Sequence, residues 1–171
     1  VGNDNFTARR RAAKDLALQY ATAISAQRAV GRNLIFVGSV STGKDHLASA
    51  VVRTIVGNGM SVAYARGSVL ANEMLAVLKG DPLPDKYATR DFLVVSDIEP
   101  RGDKETSVFF QTSILDLIDE RYRAKLPTII TSNIETRDAM NKAIGKRTMD
   151  RLCEDAVIIK MCWDSYRMKA K

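Results

Sequence analysis

Two cysteines and one histidine are all that this chain of 171 residues offers to a disulfide framework or a zinc site. Cys153 and Cys162 lie late in the sequence and His46 has no second histidine to share a metal with, so neither feature can organise the fold, and two reduced, mostly buried thiols are expected. Long apolar runs are missing too. The stretch around Phe92 to Val95 is strand-sized, well short of the roughly 18 residues of a membrane span. With no signal-like segment either, the expectation is a cytoplasmic protein without a membrane anchor. Proline is scarce, at four residues, and "GDPLP" over 80–84 is the one punctuated stretch, a surface loop. No internal repeat or low-complexity segment interrupts the chain. What remains is 46% hydrophobic and 27% charged, the composition of a globular core rather than of a disordered chain. One domain is expected over 1–171, with 1–32 as a helical lead-in and 33–171 as the core. A net charge of +6 suits a polyanionic partner without establishing one.

Residues 7–29 lack Gly and Pro and carry apolar side chains at helical spacing through Ala13, Leu16, Tyr20, Ile24 and Val30. The Arg9-Arg10-Arg11 run falls on the solvated side of this helix or at the rim of a site. Beyond it, strands are expected at 33–38, 61–65, 91–97, 127–133 and 156–163, alternating with helices at 44–56, 68–78, about 107–123 and 135–153. "DFLVVSD" is apolar on both faces, as in the buried middle of a parallel sheet. Alternation of this kind implies right-handed crossovers and a sheet covered on both sides, with ligands bound beyond the carboxyl ends of the strands.

"GSVSTGKDHL" (38–47) sits between an apolar strand and an amphipathic helix, the setting of a phosphate-binding loop. Its residues Gly38, Ser39, Val40, Ser41, Thr42, Gly43, Lys44, Asp45 and His46 are the candidate nucleotide contacts. Glycines let backbone N–H groups converge on phosphate oxygens, the helix offers its positive end, and Lys44 adds a point charge. Nucleotide chemistry also needs carboxylates at a neighbouring strand end, and Asp97 and Glu99 emerge after "FLVVS". Asn133, at the tip of "TIITSN", is suited to hydrogen-bond a γ-phosphate or water.

In this order, "NLIFVGSVSTGKDHLASAVV", "DFLVVSDIE", "LIDERYRAKLPTIITSNI", "IGKRTMDRL" and "WDSYR" resemble the AAA+ domain of DnaC-type replicative helicase loaders and the related IstB-type transposition ATPases. The resemblance covers nearly the whole chain from about residue 33, and the "WDSYR" ending favours the DnaC type. It implies a three-layer α/β P-loop NTPase of the AAA+/RecA-like kind, with five mostly parallel strands and little or no C-terminal lid. It also implies ATP or ADP with Mg²⁺ as cofactors, bacterial or phage origin, and head-to-tail self-association through the nucleotide. The implied partners are a DnaB-type helicase and single-stranded DNA, and the helicase-binding segment that precedes such domains is not expected within these residues. By the same resemblance Asn133 is the sensor-1 residue and Arg151 the arginine finger, with Arg147 competing. Arg167 acts as a sensor-2-like arginine in cis, and Ser107 and Phe109 contact DNA beside Lys104 and Arg101.

Two positions depart from the family together. Aligning Asp91 with the family's first acidic residue puts Ser96 where the metal-binding aspartate belongs and Asp97 where the catalytic glutamate belongs, while Asp45 replaces the loop hydroxyl. One reading exchanges the pair, so that Asp45 brings the carboxylate and Ser96 the hydroxyl to the metal. A second register makes Asp97 the metal ligand and Glu99 the water-orienting acid. A third keeps binding and gives up hydrolysis, which makes a nucleotide-gated assembly module; with the non-standard residues at both positions, the enzyme expected is a weak Mg²⁺-dependent ATPase.

Overall fold

The computed structural model describes residues 2–77, 79–82, 84–98 and 104–165, with side chains described from Thr7 in the first helix and from Val108 in the sixth. Five parallel strands form one sheet: β1 (Asn33–Val37), β2 (Val62–Arg66), β3 (Phe92–Ser96), β4 (Thr128–Ser132) and β5 (Ala156–Lys160). They lie in the order β2-β3-β4-β1-β5. The chain therefore leaves β1 for the far edge at β2, returns through β3 and β4, and hops over β1 to reach β5. The crevice at the carboxyl end of β1 is the reversal point where such sheets take ligands. β1, β3 and β4 are buried at every position, which is why they read as continuous apolar runs rather than alternating ones.

Helices cover both faces. Leu34, Phe36, Val94 and Ile129 point to one side, against α1 (Gly2–Thr22), α2 (Ile24–Val30) and α3 (Lys44–Gly57). Ile35, Leu93, Val95 and Ile130 point to the other, against α4 (Gly67–Val77), α5 (Lys86–Thr89), α6 (Lys104–Arg123), α7 (Arg137–Ile144) and α8 (Lys146–Glu154). The strands match the expected spans to within one to three residues at either end; β2 is shifted by one, to Val62–Arg66, and β5 stops at Lys160, three residues short, where the chain turns beside the loop. Two expected helices are each two. The lead-in divides at Ala23, and the 135–153 stretch divides at Gly145, whose φ of 89° lies outside the helical region. The core stripe of α1 also differs from expectation. Ala13, Tyr20 and Ile24 are buried as expected, but Leu16 is 41% exposed and Val30 is exposed too, while Ala17 and Ala21 are buried, since small side chains let α1 lie close on α3.

Arg121 of α6 is a charged residue in the core, 1% exposed. Its guanidinium donates to the carbonyls of Pro127 at 2.8 Å, Tyr87 at 2.9 Å and Arg90 at 3.0 Å, and to Thr128 Oγ1 at 3.2 Å. It thus ties α6 to the start of β4 and to the segment leading into β3. Burial pushes its pKa down to about 10, so it stays charged at neutral pH. Arg121→Ala is expected to cost about 3 kcal/mol, because three buried carbonyls lose their donor. Arg121→Lys should recover less than half of that, lacking the planar fork. Urea unfolding of the three proteins measures both.

Candidate nucleotide-binding site

β1 ends at Val37 and the chain turns through Gly38, whose φ is 147°. A Cβ there would stand 2.3 Å from the Met161 carbonyl oxygen, so only glycine lets the loop start this close to the segment after β5. Ser41 and Gly43 also take left-handed conformations, with φ of 61° and 97°, and the loop closes on itself. Lys44 Nζ donates to the Gly38 and Ser39 carbonyls at 2.7 Å each, and Thr42 Oγ1 donates to the Ser39 carbonyl at 2.9 Å. The backbone around the ammonium is thus preformed. α3 starts at Lys44 with Gly43 as its N-cap and no side-chain cap on its first turn, leaving backbone donors to an anion.

Asp45 is in that first turn, and its partner is a hydroxyl of β4. Thr131 Oγ1 donates to Asp45 Oδ1 at 2.8 Å and accepts from the Asp97 backbone N–H at 3.0 Å. The one hydroxyl thus accepts from the main chain after β3 and donates to the first turn of α3. Asp97 has a φ of 51°, and Asn133 Nδ2 donates to its Oδ1 at 3.4 Å. Ser39 Oγ donates to Glu135 Oε1 at 2.7 Å, joining the loop to the turn after β4. Asp45, Thr131, Asp97 and Asn133 form one connected polar set across the ends of β3 and β4.

Ser96 is not part of this set. Its hydroxyl pairs with the Tyr64 hydroxyl at 2.6 Å, on the β2 side, and it does not line the cleft. Its hydroxyl is turned to β2, whereas β4 lies between β3 and β1 and brings Thr131 beside the loop. The hydroxyl facing Asp45 is therefore one that spacing along the sequence gave no reason to select. Glu99 and Arg167 lie outside the described residues, as does the side chain of Ser107, whose backbone is in α6. Phe109 is half-buried and packs at the edge of the core, while its neighbour Phe110 is buried within it. Arg151 is on the outer face of α8, away from the cleft. It donates to Asp119 at 3.1 Å and its guanidinium lies over the Tyr122 ring at 4.7 Å. The Asp119 hydrogen bond raises its pKa above the usual arginine value.

A cleft of about 1230 Å³ opens over the loop, with Val40 to Leu47 as its floor and Asp97 and Asn133 on one side. The opposite wall is α1, through Arg10, Arg11, Lys14 and Leu18, so two of the three arginines in the run lie at the rim of the site. Trp163, 8% exposed, closes the end: its Nε1 donates to the Thr42 carbonyl at 3.1 Å. The sequence signal for it was only its place in "WDSYR". Among the described residues no group of three or more His, Cys, Asp or Glu could hold a metal by itself. A Mg²⁺ that brings phosphate oxygens with it needs only one or two carboxylates, and Asp45 and Asp97 meet that need.

A preformed glycine loop, a buried lysine and an uncapped helix end, set at the carboxyl edge of a five-stranded parallel sheet, have the build of a P-loop nucleotide-binding fold. The family model described as IstB-like ATP binding protein matches residues 5–171, and the chain belongs to that family. Replicative helicase loader DnaC of Escherichia coli (strain K12) is 28% identical over 143 residues, which are 80% of this chain and 57% of the relative. The chain thus spans a little over half the length of that relative. The crystal structure of the DnaC helicase loader superposes with a TM-score of 0.67 at 19% identity, covering 78% of this chain and 80% of that one. Replication initiator DnaA bound to AMPPCP and single-stranded DNA superposes with a TM-score of 0.66 at 24% identity, over 86% of this chain and 46% of that one. No described helix is long and apolar enough to cross a membrane.

The Thr131 hydroxyl is the element of this site whose removal is cleanest. Thr131→Val keeps the volume and leaves the Asp97 N–H without its acceptor, so it should cost about 1 kcal/mol, whereas Thr131→Ser retains most of that. Urea unfolding midpoints of the two variants check the difference.

Proposed function

We propose that this chain is the ATP-binding AAA+ domain of a replicative helicase loader, which binds ATP in the cleft over the loop and acts on single-stranded DNA with a hexameric DnaB-type helicase. The observation that carries the reading is the loop closed around Lys44 with Asp45, Thr131, Asp97 and Asn133 gathered at its mouth. Likeness to the DnaC loader over most of the chain supports the replication role.

In this reading the loop N–H groups and Lys44 hold the phosphates, and Asn133 holds the terminal phosphate or a water next to it. Asp97 orients that water. Bound Mg²⁺ supplies charge neutralisation at the outer phosphates. Asp45 and Asp97 are the carboxylates that would hold it, with Thr131 fixing Asp45 in place by a hydrogen bond; Ser96, paired with Tyr64, brings no hydroxyl to the metal. Arg151 serves a neighbouring subunit's nucleotide: it lies on an outer face, and reaching across means giving up Asp119. Single-stranded DNA meets the N-terminal part of α6, through Ser107 and Phe109. A second reading, a transposition helper, is favoured by the family to which the chain belongs. Preference for duplex over single-stranded oligonucleotides, with and without ATP, would select it.

The nucleotide part is tested by calorimetric titration of ATP. Lys44→Ala should weaken binding at least tenfold, about 1.4 kcal/mol. Because the Asp45 carboxylate repels phosphate unless a cation lies between them, EDTA should weaken wild-type binding about tenfold or more and should affect Asp45→Thr much less. Equal affinity of the wild type in Mg²⁺ and in EDTA overturns the metal assignment. Steady-state phosphate release then separates a turning-over enzyme from a nucleotide-gated module.

A further inference from the structure

The wall that α1 gives to the cleft carries more cationic charge than a P-loop site requires. Arg10 continues the stripe of α1 that packs inward, three and seven residues ahead of Ala13 and Ala17, which are both buried on α3. At a position where the stripe continues toward the loop, the chain has a guanidinium. It lies over the Trp163 ring, 5.9 Å from its centre, and the same indole donates to the Thr42 carbonyl inside the phosphate loop. Arg11 and Lys14, one and four residues on, line the same cleft. Cationic lining residues from the two walls are Lys44, Arg10, Arg11 and Lys14, and the carboxylates among the lining residues are Asp45, Asp15 and Asp97. Without α1 the carboxylates of the loop and of β3 would outnumber the one lysine. Farther along, the cleft turns apolar between Leu18 of α1 and Leu47 and Ala50 of α3, a surface for a base rather than for phosphate.

We infer that Arg10 is a nucleotide-binding residue acting in cis: held on the face of Trp163, its guanidinium meets the phosphate chain and offsets the negative charge that Asp45 brings into the loop. The inference rests on the reading of the cleft as an ATP site and adds a residue from outside the loop. A guanidinium suits this position, since it stacks on an aromatic face and forks onto phosphate oxygens at once. Trp163, the single tryptophan of the chain, then touches both the loop and the phosphate-binding arginine.

The test uses the whole chain and reads Trp163 fluorescence while ATP, AMP or inorganic tripolyphosphate is titrated in. Calorimetry provides a second measure of affinity. Arg10→Ala should weaken ATP and tripolyphosphate about tenfold and AMP by no more than threefold. Arg10→Lys should recover part of the loss, and Arg9→Ala, one residue away and outside the cleft, should bind as the wild type does. Thermal melting of each variant accompanies the titrations. Wild-type affinity for ATP in a folded Arg10→Ala protein overturns the inference, as does an equal loss for all three ligands, which marks a structural role. If Arg10→Ala does not fold, Arg10→Lys and Arg10→Gln carry the comparison, and equal binding by those two overturns it. Failure of the wild type itself to bind ATP would instead overturn the ATP reading on which the inference stands.

Discussion

One hydroxyl holds three parts of the molecule in register. Thr131 sits at the end of β4, between the strand that carries Asp97 and the strand that leads into the loop, and it binds the backbone of one and the side chain of the helix behind the other. The sheet sets where the strand ends are. The threonine sets how the first turn of α3 is aligned with the end of β3. Asp45, an unusual residue for the helix end of a phosphate loop, is accommodated because this hydroxyl receives it. The sequence departure in the loop and the polar residue on β4 are two sides of one contact.

Much of the architecture was legible in the chain because it depends on local signals. Apolar runs of strand length, alternating with amphipathic stretches, are what a parallel sheet with helices on both faces needs, and that is what forms. The loop was legible because glycine positions and lysine spacing carry its geometry directly. Three features were not legible, and each is a matter of distance in sequence. Thr131 is 86 residues from Asp45, and strand order brings it beside the loop while the Ser96 hydroxyl turns to β2. Trp163 is 121 residues from Thr42, and its contact depends on β5 ending beside the loop. Arg121 reads as one more charge in "DERYR", yet it satisfies carbonyls on segments that meet it only after the sheet closes. Leu16 shows the opposite failure: the periodicity rule preferred a large side chain where close helix packing needed alanine.

The two ends of the sheet are held by different chemistry. At the amino end, the guanidinium of Arg121 gathers backbone carbonyls, while Asp91 accepts from Ser61 at 2.7 Å and from Arg28 at 3.1 Å, which holds its carboxyl below the usual range. At the carboxyl end the contacts face an open cleft, with side chains from α1, α3 and the segments after β3, β4 and β5 meeting around the loop. A rigid base supporting a polar rim is how a sheet of this kind keeps a binding surface aligned while leaving it accessible.

Asp97 takes a left-handed backbone conformation that side chains other than glycine seldom occupy, and the Gly67 backbone lies so close to it that a Cβ there would stand 2.6 Å from the Asp97 carbonyl oxygen. The backbone turn at 97 and the hydrogen bond from Asn133 together hold this carboxylate in the cleft lining. Strain of this kind costs about 1–3 kcal/mol, so the chain gives up stability to aim one side chain. A glycine at 97 would relax the turn but discard the acid, so this turn trades backbone ease for a carboxylate facing the cleft.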